Sequence, residues 1–138
     1  MAINKCKAIS VKSGKVVYGF YFNVEFKDGS KKHFILEDGS DAAKDRTLAE
    51  VQVEVKGETV CQFTGKYDHA GNEVYDHDIV RDGWDRQMVI IYSEDHMAWK
   101  FEAISKTNFD EAWAWQWFDN VSPRISVYVT GNSRFPSL

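Results

Sequence analysis

Tyrosine, aspartate and histidine occur twice in the same order, as Tyr67-Asp68-His69 and as Tyr75-Asp76-His77-Asp78. Brought together across a hairpin, Asp68, His69, Asp76, His77 and Asp78 could collect a divalent cation, because imidazole nitrogens and carboxylate oxygens are ordinary metal ligands. Water bound to such an ion is acidic enough to attack an ester, so a metal-dependent hydrolase is the sharpest chemistry these residues allow. His33 and His96 stand in separate polar stretches without a serine or cysteine nucleophile motif beside them, so a catalytic triad would have to be assembled entirely by the fold. Cys6 and Cys61 are isolated, with no Cys-x-x-Cys spacing, and read as reduced thiols packed as small apolar groups.

The aromatic and basic residues offer binding rather than catalysis. Trp113, Trp115 and Trp117 alternate and could stack nucleic-acid bases. Asp110, Glu111 and Asp119 surround them and would repel phosphate, so a buried core or a subunit interface is the expected setting. Lys5, Lys7, Lys12, Lys15, Lys31 and Lys32 are the phosphate-facing candidates; their competing reading is a solvated strand edge that lysine guards against pairing. Tyr18, Phe20 and Phe22 read as core.

Charge is unevenly distributed: residues 1–36 carry +5, residues 37–120 carry −11 and residues 121–138 carry +2, for a net −4. Such asymmetry fits a phosphate-facing surface, head-to-tail self-association, or simply solvated lysines. With 138 residues, the chain suits one domain of common size or two very small β modules. Aromatic residues make up 14%, which favours strands. No apolar run approaches the roughly 20 residues that span a bilayer. The opening Met1-Ala2-Ile3-Asn4-Lys5-Cys6 lacks a signal peptide's apolar stretch, so a cytoplasmic location without membrane contact is expected.

The elements that must position these groups are nearly all strands. Val16, Tyr18, Phe20, Phe22, Val24 and Phe26 alternate with Val17 and Tyr21, with a bend or bulge expected at Gly19. Asp28-Gly29 then predicts a hairpin into His33-Phe34-Ile35-Leu36. Residues 37–49 hold a short helix former capped by Ser40 or Asp41. Val51, Val53 and Val55 alternate as a strand ended by Gly57. A second hairpin spans 67–75, turning through Asp68, Gly71 and Asn72. Further strands are predicted at 78–81, 87–92 and 98–104, a spacing that suits a small meander or barrel. Asn108 to Glu111 fits a capping box that runs into the tryptophan strand, and Pro123 ends that element. Ile125, Val127 and Val129 form the last strand.

The segment from Glu58 to Val80 resembles the signature of the YopX family of phage and prophage proteins. Gln62, Phe63, Thr64, Gly65, Asp68, Gly71, Glu73, Tyr75, Asp78, Ile79 and Val80 sit where that pattern expects them. The resemblance extends to Lys7-Ala8, to Val17-Tyr18-Gly19-Phe20-Tyr21, to His33-Phe34-Ile35, and to the closing Ile125-Ser126-Val127-Tyr128-Val129-Thr130-Gly131-Asn132; residues 37–50 and 105–122 are unmatched. Cys61 replaces a family glycine, Gly57 a common proline, and His77 the glycine before Asp78, so the turn there must tolerate a side chain or be built differently. In the family pattern Asp68 and Asp78 are turn residues, which weighs against a metal site.

The resemblance implies a mainly β fold related to small SH3-like barrels, with an N-terminal β-hairpin extension and little helix. It also implies phage origin and self-assembly, and no established reaction. Residues 1–56 are expected to form the extension and residues 57–138 the SH3-like barrel. The expected function is that of a phage-encoded, non-enzymatic, oligomeric accessory protein that needs no cofactor or metal and binds a host or phage protein. The alternative is a nucleic-acid-binding module that uses the basic N-terminal third.

Overall fold

In the computed structural model, residues 5–37, 47–83, 85–95, 97–104 and 124–135 are described. Their architecture is mainly β, with helix among them limited to one four-residue segment, α1 (Leu48–Val51), and a 3₁₀ turn at Gly57–Thr59. The chain divides into two units, Met1–Gln62 and Phe63–Leu138. The division falls inside strand β5 (Cys61–Tyr67), a few residues beyond the boundary drawn before Gly57 from the sequence.

In the first unit, β1 (Lys5–Ile9), β2 (Val16–Glu25), β3 (Lys31–Glu37), β4 (Gln52–Val55) and the start of β5 pair antiparallel in the order β4-β3-β2-β1-β5. The Asp28-Gly29 turn that joins β2 to β3 is held by Phe26 N–H donating to Ser30 O at 2.8 Å and by Asp28 Oδ1 accepting from Ser30 N at 2.9 Å. Gly29 takes φ +87°, a conformation glycine adopts without Cβ strain. Gly19 does not mark a bulge: the ladders to β1 and β3 run through it in unbroken register. Close approach is the reason for glycine here, since a Cβ at position 19 would lie 2.1 Å from the Leu36 carbonyl oxygen.

The sheet curls until the end of β1 meets β4. Ser10 bridges Val55, Val11 N–H donates to Glu54 O at 3.0 Å, and Lys56 N–H donates to Ile9 O at 2.9 Å. Inside the curl, Cys6, Ala8, Ile35 and Val55 are buried, with Val17, Tyr21, Val53 and Val60 packed against them. Both cysteines are buried free thiols. Thr47 caps α1 through a capping box with Glu50, whose N–H donates to Thr47 Oγ1 at 3.3 Å. The expected caps at Ser40 and Asp41 lie outside the described residues.

In the second unit, the rest of β5 pairs with β6 (Glu73–Tyr75), and β7 (Asp78–Arg81), β8 (Gln87–Ser93), β9 (Ala98–Ala103) and β10 (Tyr128–Asn132) form an antiparallel sheet in the order β10-β7-β8-β9. Its core is Val74, Val80, Met88, Ile90, Phe101, Ile125 and Val127, with Trp99 and Val129 packed against it. The expected barrel of residues 57–138 does not close among the described residues. Closure requires a ladder of hydrogen bonds around the whole ring. The β5–β6 ladder is interrupted between Phe63 and Tyr67, and β10 begins only at Tyr128. Residues 125 and 127 bond the β5–β6 turn instead, with Ile125 N–H donating to Tyr67 O at 2.9 Å and His69 N–H to Val127 O at 2.8 Å.

Candidate functional site

The signature hairpin is built around two buried aspartates. Gly71 at φ +91° reverses the chain, Asp68 N–H donates to Asn72 O at 2.8 Å, and Gly71 N–H donates to Asp68 O at 3.0 Å. The Asp68 side chain, 1% exposed, accepts at Oδ1 from Asn72 N at 2.8 Å and at Oδ2 from Asn72 Nδ2 and Val129 N, each at 3.1 Å. Burial pushes its pKa up, but hydrogen bonds from the Val129 amide, the Asn72 amide and side chain, and the Ala70 amide outweigh burial and leave it below the ordinary carboxylate value. Asp68 therefore fastens the turn to the segment that enters β10.

Asp78 works the same way at the next turn. It is fully buried, accepts from Tyr75 N at 2.7 Å through Oδ2, and accepts from Asn132 Nδ2 at 2.8 Å through Oδ1. His77 occupies the turn position at φ +64°, so the chain tolerates a side chain where the family pattern has glycine. Its N–H donates to Ile90 O at 2.6 Å, and its carbonyl accepts from Ser133 N at 2.8 Å. His77 Nδ1 stands 2.8 Å from Asp76 Oδ1, and Arg134 Nη1 lies 3.8 Å from Asp76 Oδ2.

The other signature residues shape the same hairpin. Gly65 at φ +86° sits in the irregular stretch of the β5–β6 ladder, and Thr64 Oγ1 donates to Val74 O at 2.7 Å. The Phe63 ring packs against Tyr67 at 5.7 Å and against Tyr75 at 5.4 Å between centroids, and the Tyr75 hydroxyl donates to Glu73 Oε1 at 3.1 Å. Val80 is buried, Ile79 half-buried and Gln62 exposed.

The doubled Tyr-Asp-His does not assemble as a ligand set. Asp68 and Asp78 spend their oxygens on amide donors, and His69 is exposed with its ring edge-on to Tyr128 at 5.4 Å. Among the described residues no group of three or more histidine, cysteine, aspartate or glutamate side chains is placed to hold a metal ion. His33 is held by Tyr21, whose hydroxyl lies 2.6 Å from Nδ1, and packs over Gly57. His96, Trp113, Trp115 and Trp117 lie outside the described residues. A surface cavity of about 850 Å³ in the first unit is lined by Ser10, Lys12, Glu37, Glu50 and Glu54 among others. Glu50 is engaged in the α1 capping box.

A different surface stands out. Tyr18, Phe20 and Phe22 are 36–46% exposed, as are Val16, Val24 and Phe26 at similar levels, so the expectation that these rings fill the core is overturned. They share the outer face of the curled sheet with Phe34 and Leu36 of β3, which stand opposite Phe22 and Phe20. Phe22 and Phe34 stack at 5.2 Å with planes 15° apart. The signal that marks this face is the set of small partners on the other side, Cys6, Ala8, Val17 and Gly19.

The six candidate lysines do not form one patch. Lys5 is half-buried opposite Phe20, and Lys32 is exposed opposite Val24, both on the ring-bearing face. Lys7 shares that face but is only 7% exposed, a correction to its phosphate-facing reading. Lys31 alternates onto the opposite face, and Lys12 and Lys15 are exposed in the β1–β2 connection.

Among comparisons with known proteins, the family model described as YopX protein matches residues 8–124. No curated protein matches the chain. Because that span takes in most of both units and the whole signature hairpin with its two buried aspartates, the chain belongs to the YopX family.

Proposed function

We propose that this chain is a phage-encoded, non-enzymatic accessory protein that works in the host cytoplasm by binding, and that its working surface is the outer face of β2 and β3. The observation that carries this reading is the exposed row Tyr18, Phe20 and Phe22 with Phe34 beside it. A contiguous apolar patch of this kind marks an interaction site in a soluble protein. The non-enzymatic reading is supported by the acidic side chains of the signature, whose oxygens hold turns together rather than facing a substrate. The second unit reads as an open relative of small SH3-like modules, supported by its short antiparallel strands and tight turns.

Apolar rings suit a protein partner, a second copy of the chain included. Lys5 and Lys32 on the same face suit nucleic acid. The test is a pull-down with the tagged chain from prophage-carrying cells, split into nuclease-treated and untreated halves, beside a Phe20→Ser/Phe22→Ser variant. Loss of the bound species in the variant supports the assignment of the face. A wild-type capture that the variant reproduces in full overturns it.

A further inference from the structure

We draw no further inference here: the strongest candidate, the exposed aromatic row of Tyr18, Phe20 and Phe22 on the outer face of β2 and β3, carries nothing beyond the binding role already proposed for it, because nothing in the structure shows what covers it.

Discussion

Replacing Asp68 by alanine removes the acceptor of the Val129 and Asn72 amides and the Asn72 side chain, together with the smaller contribution from the Ala70 amide. Hydrogen bonds to a charged group contribute about 1.5–3 kcal/mol each, and a buried amide left without a partner costs about 1–3 kcal/mol. Asn72 is exposed and its donors regain water, while the half-buried Val129 amide does not. The expected loss is therefore about 3–5 kcal/mol, a large part of the roughly 5–15 kcal/mol that stabilises a domain. Asp68→Asn keeps one oxygen and the shape, and should lose about half as much. The Asp68 carboxyl titrates below its ordinary value of 3.8 when folded, so its contribution is complete above the unfolded pKa and disappears as pH falls through the folded one. The gap between wild type and Asp68→Asn should thus be constant from neutral pH down to about pH 5 and narrow below about pH 4. Urea unfolding followed by tryptophan fluorescence reads both quantities, because Trp99 packs on the second unit's core. An alanine variant within about 1 kcal/mol of wild type, or a gap that fails to narrow in acid, would refute the role of Asp68 as the fastening between turn and β10.

Three further substitutions probe other joints. At position 77, the left-handed backbone at φ +64° penalises any Cβ, so His77→Gly should be more stable than His77→Ala by about 1 kcal/mol in thermal unfolding; equal stability would show that the turn carries no such strain. Gly57→Ala places a Cβ 2.6 Å from His33 Cδ2 and Nε2 and should cost about 1–3 kcal/mol, most of it absent when His33→Ala is combined with it; additive losses would rule out the clash as cause. Gly19→Ala drives a Cβ into the Leu36 carbonyl and should cost more than about 3 kcal/mol or prevent the first unit from folding, as seen in its amide spectrum; a wild-type melting curve would contradict the close approach of β2 and β3.

What could be read without the structure was local. Asp28-Gly29 and the 68–72 turn are encoded by residues whose own side chains and φ angles make the bend, so both hairpins are legible as written. The strand at 87–92 and its neighbours follow from runs of β-branched and aromatic residues bounded by turn residues. α1 was hidden because the regular spacing of Val51, Val53 and Val55 suggests a strand from its first residue, whereas Thr47 and Glu50 form a capping box that keeps Val51 helical. Barrel closure was beyond reach because it depends on whether strands distant in sequence share a ladder. Here residues 125–127 bond the 67–69 region as loop to turn. The two aspartates were ambiguous for a related reason: a carboxylate that binds a metal and one that binds backbone amides look identical until its neighbours are placed.

The misplaced aromatic row has a physical origin in curvature. Alternation along β2 shows that Tyr18, Phe20 and Phe22 share a face, but which face is buried depends on how tightly the sheet bends. Where the end of β1 meets β4 through Ser10 and Val55, the buried side chains inside the curl are small or medium in size. Those present are Cys6, Ala8, Val17, Gly19, Ile35 and Val55, with Tyr21 reaching inward to pair with His33. The larger and more apolar set faces outward, against the usual preference of rings for the interior. Such an arrangement loses the burial of several aromatic rings, each potentially contributing about 1.5–3 kcal/mol, unless something covers them. Three half-exposed rings in one row are therefore a surface whose free energy would be recovered if something covered it, which is the physical support for the working face proposed above.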